Sequence, residues 1–142
     1  MRFSFFFSTS FKRSLKWLAK KYPRIKDDVR VALHALEQSP QLGMVIPAGY
    51  SIRKLRVRNS DVGRGKSGGY RLLYLVRPDR NLICLLLVYS KSDQAAVDRT
   101  ELAHLVNLLR QDLGEMPIHE EVEAYTTDSS AASLESSFET PD

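Results

Sequence analysis

The spacing of apolar residues changes along this chain, and the changes mark out its elements. Phe3, Phe5, Phe6 and Phe7 open it as a short aromatic run. That run predicts a first β-strand rather than a secretion signal, because Lys12, Arg13 and Lys16 stand where a small-residue cleavage site belongs. Ser8-Thr9-Ser10 then offers side-chain oxygens to cap a helix. Phe11, Leu15 and Leu18 recur at helical spacing, with Lys12, Arg13, Lys16, Lys20 and Lys21 on the other faces. Tyr22-Pro23 ends that helix, since a residue before proline is pushed out of the α region. A second helix follows from about Arg24, striped by Ile25, Val29, Ala32, Leu33 and Leu36 and closed by Ser39-Pro40 and Gly43. The two read as a helical hairpin.

From Gly49 the period falls to 2. Leu55 and Val57 point one way while Lys54, Arg56 and Arg58 point the other, as alternate residues of a half-buried strand must. Residues 59–69 contain four glycines and little that packs. Tyr70 to Val76 and Leu82 to Tyr89 are nearly continuous apolar runs, which predict central strands covered on both faces. Pro78-Asp79-Arg80-Asn81 joins them as a tight turn. Asp93 is placed to cap a last helix carrying Leu102, Leu105, Val106, Leu109 and Leu113, with Gly114 as its stop. The expected fold is α+β. An N-terminal strand and helical hairpin precede a three- to four-stranded, mostly antiparallel sheet and a C-terminal helix, with the helices on one face. Residues 1–114 form this domain and residues 115–142 an acidic Ser/Thr/Glu-rich tail, of which roughly 118–142 reads as disordered.

Charge sharpens the division. The net charge of +4 hides a split, because residues 115–142 hold eight acidic groups and no Lys or Arg. Residues 1–114 hold 21 basic groups against 9 acidic ones, a net of +12. Within the body, seven of the nineteen residues 53–71 are cationic (Arg53, Lys54, Arg56, Arg58, Arg64, Lys66 and Arg71), and Asp61 alone is acidic. A sheet surface so charged calls for a polyanion, of which a nucleic-acid backbone is the leading candidate.

Other chemistries find little support. Gly65-Lys66-Ser67 resembles the end of a phosphate-binding P-loop, but the glycine required five residues earlier is Ser60, and the loop leads into a strand. His34, His104 and His119 have no metal-ligand or triad spacing with Cys84 or a serine. No carboxylate pair sits at a strand end to serve as acid and base. Cys84, the one cysteine, lies in an apolar strand and excludes an internal disulfide, and a cytoplasmic protein is the simplest reading. No run approaches the ~18 apolar residues that span a bilayer.

Arg53 to Arg58, then Gly65-Lys66-Ser67-Gly68-Gly69-Tyr70-Arg71, then Val88-Tyr89-Ser90-Lys91-Ser92-Asp93 and a closing amphipathic helix resemble the RelE/ParE superfamily of type II toxin–antitoxin toxins. The nearest branch is the HigB-like group, which has a Gly-Lys-Ser-Gly-Gly-x-Arg loop before the central strand and a Tyr-x-Lys-x-(Asp/Glu) segment after the next. The opening strand, the Lys20-Lys21-Tyr22-Pro23 helix break and the helical hairpin fit as well, so the resemblance covers roughly residues 1–113. It implies a ribosome-dependent mRNA endonuclease that uses no metal or other cofactor and lets the RNA 2′-OH attack the adjacent phosphate. By position, Arg71 matches the arginine on the scissile phosphate, Lys54 and Arg56 the strand that supplies substrate contacts and acid–base groups, and Lys91 the basic residue after the next strand. Tyr89 is the nearby group for stacking or proton transfer. Arg53, Arg58, Arg64 and Lys66 are candidates for RNA contact. Some relatives carry a catalytic tyrosine in the final helix. Residues 94–99 have none, and the general base stays unassigned.

The resemblance also implies partners: the ribosome and mRNA, and a cognate antitoxin, expected to be a small helix-turn-helix DNA-binding protein encoded beside the toxin. Two alternatives share the fold, a ParE-like inhibitor of DNA gyrase and an inactive RNA-binding relative. Phosphate-directed cations in the sheet favour RNA over gyrase. The acidic tail departs from the family pattern. It is either an inert extension or a cover that lies over the basic body and competes with RNA.

Overall fold

The computed structural model describes residues 2–47, 49–62, 69–94 and 96–115. Arg64, Lys66, His119 and the tail from residue 116 onward lie outside the described residues. In chain order the elements are β1 (Ser4–Phe7), α1 (Thr9–Ala19), α2 (Ile25–Gln38), β2 (Met44–Val45), β3 (Arg53–Val57), β4 (Tyr70–Arg77), β5 (Leu82–Ser90) and α3 (Arg99–Asp112). One 3-10 turn at Pro78–Arg80 links β4 to β5, with Asn81 at φ 54 closing it.

The helices form where their caps and stripes place them. Ser8 Oγ accepts a hydrogen bond from Phe11 N at 3.0 Å and so satisfies one of the free amides at the start of α1. Phe11 and Leu18 of α1, and Ile25, Val29, Ala32 and Leu36 of α2, are the buried apolar residues of their stripes. Helix α3 begins later than expected. Asp98, not Asp93, is its cap, accepting from Glu101 N at 2.8 Å. Asp93 is committed elsewhere: its amide closes a turn onto Ser90 O at 3.0 Å, and its carboxylate lies 3.5 Å from Lys21 Nζ. At the other end Gly114 adopts φ 75, the left-handed conformation that stops a helix.

The sheet has five strands in the order β1-β5-β4-β3-β2. β1 runs parallel to β5, and every other neighbouring pair is antiparallel. The extra strand is β2, two exposed residues at the edge beside β3, too short to leave a period in the sequence. The pleat divides the core into two layers. Leu72, Tyr74, Ile83, Leu85 and Val88 pack with α1 and α2, whereas Leu73, Leu75, Cys84, Leu86 and Tyr89 pack with α3. The helices therefore cover both faces, not one. Leaving the second face bare would expose several large side chains at ~1.5–3 kcal/mol each.

Two local features fix the registers. Between Leu73↔Leu87 and Tyr74↔Leu85 the β4–β5 pairing slips, leaving Leu86 as the extra residue of a bulge. Leu86 and Leu87 then both pack on the α3 side, and the alternation of β5 resumes with opposite phase. The start of β4 is the second feature. A Cβ on Gly69 would run into the carbonyl of Val57 on β3, so the strands approach there at a distance only glycine permits.

Glu115, just past α3, is fastened to the body. Its carboxylate oxygens lie 3.1 Å from Arg77 Nη1 and 2.8 Å from Arg80 Nη1. Among the described residues no helix is long and apolar enough to cross a membrane.

Gly69→Ala should destabilise the fold by about 2–4 kcal/mol, because the overlap is with rigid backbone; urea unfolding measures it. The Cys84 thiol is fully buried and pushed by that burial up to about 12. It should therefore resist aromatic disulfide reagents at pH 8 in the native protein and react once the protein is unfolded in urea. Because the thiol ionises more readily when unfolded, stability should fall as pH rises above about 9.

Candidate functional site

Residues directly opposite one another in paired strands share a face. Arg56 pairs with Arg71, and Arg71 pairs with Tyr89. The three side chains thus form a row across β3, β4 and β5 on the α3 side of the sheet. Lys54, opposite Leu73, lies on that same face one pleat further along β3. Lys91 follows the end of β5, with its amide donating to Gly69 O at 3.1 Å. Arg58 follows β3 and is exposed, as are Arg56 and Lys91.

Arg71 sets the character of this row. It is 7% exposed, and its Nη1 donates to Tyr70 O at 3.1 Å. No carboxylate among the described residues forms an ion pair with it. Burial first, and then repulsion from Arg56, depresses its pKa, while Tyr89 acts in the opposite sense. Guanidinium remains charged throughout. The site therefore holds a desolvated cation with a second cation beside it, an arrangement that is unfavourable until an anion arrives.

Tyr89 is the other buried member, 4% exposed. Burial raises its pKa, the charge of Arg71 lowers it, and Glu101 of α3 raises it again. At neutral pH the phenol is protonated and able to donate. Glu101 is the group the sequence did not connect to this site, because its proximity depends on how α3 lies across the sheet.

Arg53 belongs to the opposite face. It pairs with Tyr74, and its Nη1 donates to Gly43 O at 2.7 Å and Gln41 O at 3.2 Å. Tyr74 Oη secures the same loop, accepting from Gly43 N at 2.8 Å and donating to Pro40 O at 2.9 Å. Arg53 thus holds the α2–β2 connection. The row brings together Lys54, Arg56, Arg71 and Tyr89, with Arg58 and Lys91 at its margin. Among the described residues no three His, Cys, Asp or Glu gather as metal ligands.

No protein-family model matches the chain. Among solved structures, it is similar to a mutant of the E. coli toxin RelE in the free state, carrying two arginine-to-alanine substitutions, at 18% identity. The match covers 78% of this chain and 97% of that one, with a TM-score of 0.49. The row of side chains described above stands on its own geometry.

If Arg71 is a cation held ready for an anion, Arg71→Met should leave stability unchanged or raise it by about 1 kcal/mol, since an unpaired buried charge is replaced by an apolar side chain. Denaturant midpoints of the two proteins would show this. A loss of several kcal/mol would mark Arg71 as a structural residue instead.

Proposed function

We propose that this chain is the toxin of a type II toxin–antitoxin system, a HigB-like, ribosome-dependent mRNA endonuclease. The observation that carries the reading is Arg71: buried, without an ion-pair partner among the described residues, and flanked in register by Arg56 and Tyr89. The sequence resemblance over roughly residues 1–113 supports it. In the cytoplasm the toxin works on mRNA in the ribosome, and a cognate antitoxin, a small DNA-binding protein, restrains it.

The RNA 2′-oxygen attacks the adjacent phosphorus, the bond from phosphorus to the 5′-oxygen breaks, and a proton must leave the first oxygen and reach the second. Negative charge builds on the non-bridging oxygens in between. Arg71 meets that charge with a preorganised donor in a dry setting, where it stabilises the transition state more than the substrate. Arg56 and Lys54, on the same face, add positive potential along the strand. Tyr89, protonated at neutral pH, suits the proton-donating role toward the departing 5′-oxygen. In this reading Lys91 and Arg58, exposed at the margin of the row, contact flanking phosphates.

Wild type and Arg71→Ala would be expressed inducibly in bacteria, with growth and mRNA 5′ ends read together. Wild type should arrest growth and generate new ends within translated codons. Arg71→Ala should reduce both by about 100-fold or more, as loss of one charge-stabilising donor does. Arrest with intact mRNA would move the reading to gyrase or another target, and absence of arrest to an inactive RNA-binding relative.

A further inference from the structure

Helix α1 turns a cationic face to solvent. The chain holds eight Lys and Arg residues before its first acidic one, Asp27. Arg13, Lys16 and Lys20 recur at i, i+3 and i+7, a single stripe about 10 Å long, and all three are exposed. None of them forms an ion pair with a described residue. Two carboxylates reach the ends of α1, and both are engaged. Asp112 accepts from Thr9 N at 2.7 Å at the first turn, and Asp93 lies 3.5 Å from Lys21 Nζ just past the last. Trp17 stands beside the stripe, four residues after Arg13 and three before Lys20. It is 62% exposed, the one aromatic among the large hydrophobic residues left exposed on the described surface. Phe11 and Leu18, which α1 does give to the core, are buried.

We propose that this face of α1 is a second nucleic-acid site, which stacks an unpaired base of a single strand on the Trp17 indole while Arg13, Lys16 and Lys20 hold the phosphates beside it. An aromatic ring among unpartnered cations is the recognition chemistry of single strands, because every base has a π-face and every linkage a charge. A duplex keeps its bases stacked on one another and offers only its phosphates. A bilayer would need an apolar helix face to insert, and that of α1 is turned into the core. The Lys21–Asp93 pair also joins the end of α1 to the turn after β5, where Lys91 is exposed. A strand seated on Trp17 therefore has a cationic route toward the Arg71 row, with Lys20, Lys21 and Lys91 along it. The site stands on α1 alone and not on the endonuclease reading; under that reading the strand is RNA outside the cleaved linkage.

Trp17 is the chain's single tryptophan, so its fluorescence reports the site directly. Titrating the full chain with oligouridylate should quench that emission, as stacking on a base does. Anisotropy of labelled oligouridylate should show binding to Trp17→Ala weakened by about 10-fold or more, with part of the loss recovered in Trp17→Phe. Inorganic polyphosphate, a polyanion without bases, should bind Trp17→Ala as well as wild type. Arg13→Gln and Lys20→Gln should each flatten the slope of log K against log[salt] by about 0.7. Arg71→Met should still show the quenching, which separates this site from the Arg71 row. Equal affinity of wild type and Trp17→Ala for oligouridylate, or quenching lost in Arg71→Met, would overturn the proposal. So would a duplex that quenches as strongly as the single strand. A blue shift on anionic phospholipid vesicles with no response to oligouridylate would overturn it too, and would mean a membrane surface is the ligand.

Discussion

Strands β4 and β5 are covered on both faces, so each of their residues must belong to one helix layer or the other, and little in either strand can be polar without a purpose. Leu72, Tyr74, Ile83 and Leu85 meet α1 and α2, while Leu73, Leu75, Cys84 and Leu86 meet α3. Arg71 is the exception, a buried guanidinium in a strand otherwise built mainly of leucine and tyrosine. Its cost is contained because the row lies at the end of the sheet, where Arg56 of β3 is already exposed. The bulge at Leu86 is part of the same arrangement. Had β5 alternated regularly through Leu86 instead of bulging there, Tyr89 would turn toward α1 and α2, away from Arg71.

The two faces of the sheet thus carry different chemistry. On the α3 side, cations and a phenol converge on a partly desolvated strip suited to a phosphate. On the α1/α2 side, partly covered apolar residues lie beneath exposed lysines. The ends of the two layers are nevertheless tied: Asp112 of α3 bonds the first residue of α1, and Glu115 grips Arg77 and Arg80 at the β4–β5 turn. The acidic extension therefore begins from a fixed point.

Burial also separates residues that look alike in sequence. Arg53, Lys54 and Arg56 form one basic run, yet Arg53 holds the backbone of Gln41 and Gly43 on the far face. Lys54 and Arg56 share a face with Arg71. Among the described cations near the site, Arg71 alone is buried. Charge density in a sequence marks a surface, while desolvation decides which of its charges can act strongly on a substrate.

The sequence determined the element order, because period, caps and proline breaks are local and act within a few residues: the Ser8 cap, the break at Tyr22-Pro23, the turn before Asn81 and the stop at Gly114 are all readable there. It also determined that Lys54 and Arg56 face opposite to Arg53, since pleating alternates without reference to the rest of the chain. Tertiary structure decided the remainder. A two-residue edge strand such as β2 has no period of its own and exists through pairing with β3. The placement of α3 on the second face follows from the need to cover both sides of β4 and β5, which no single segment records. The commitment of Asp93 to Lys21, the bulge that turns Tyr89 toward Arg71, and the approach of Glu101 all depend on contacts between residues distant in sequence. For the same reason charge density alone does not set Arg71 apart from its neighbours, and the fold makes it the buried cation among those described.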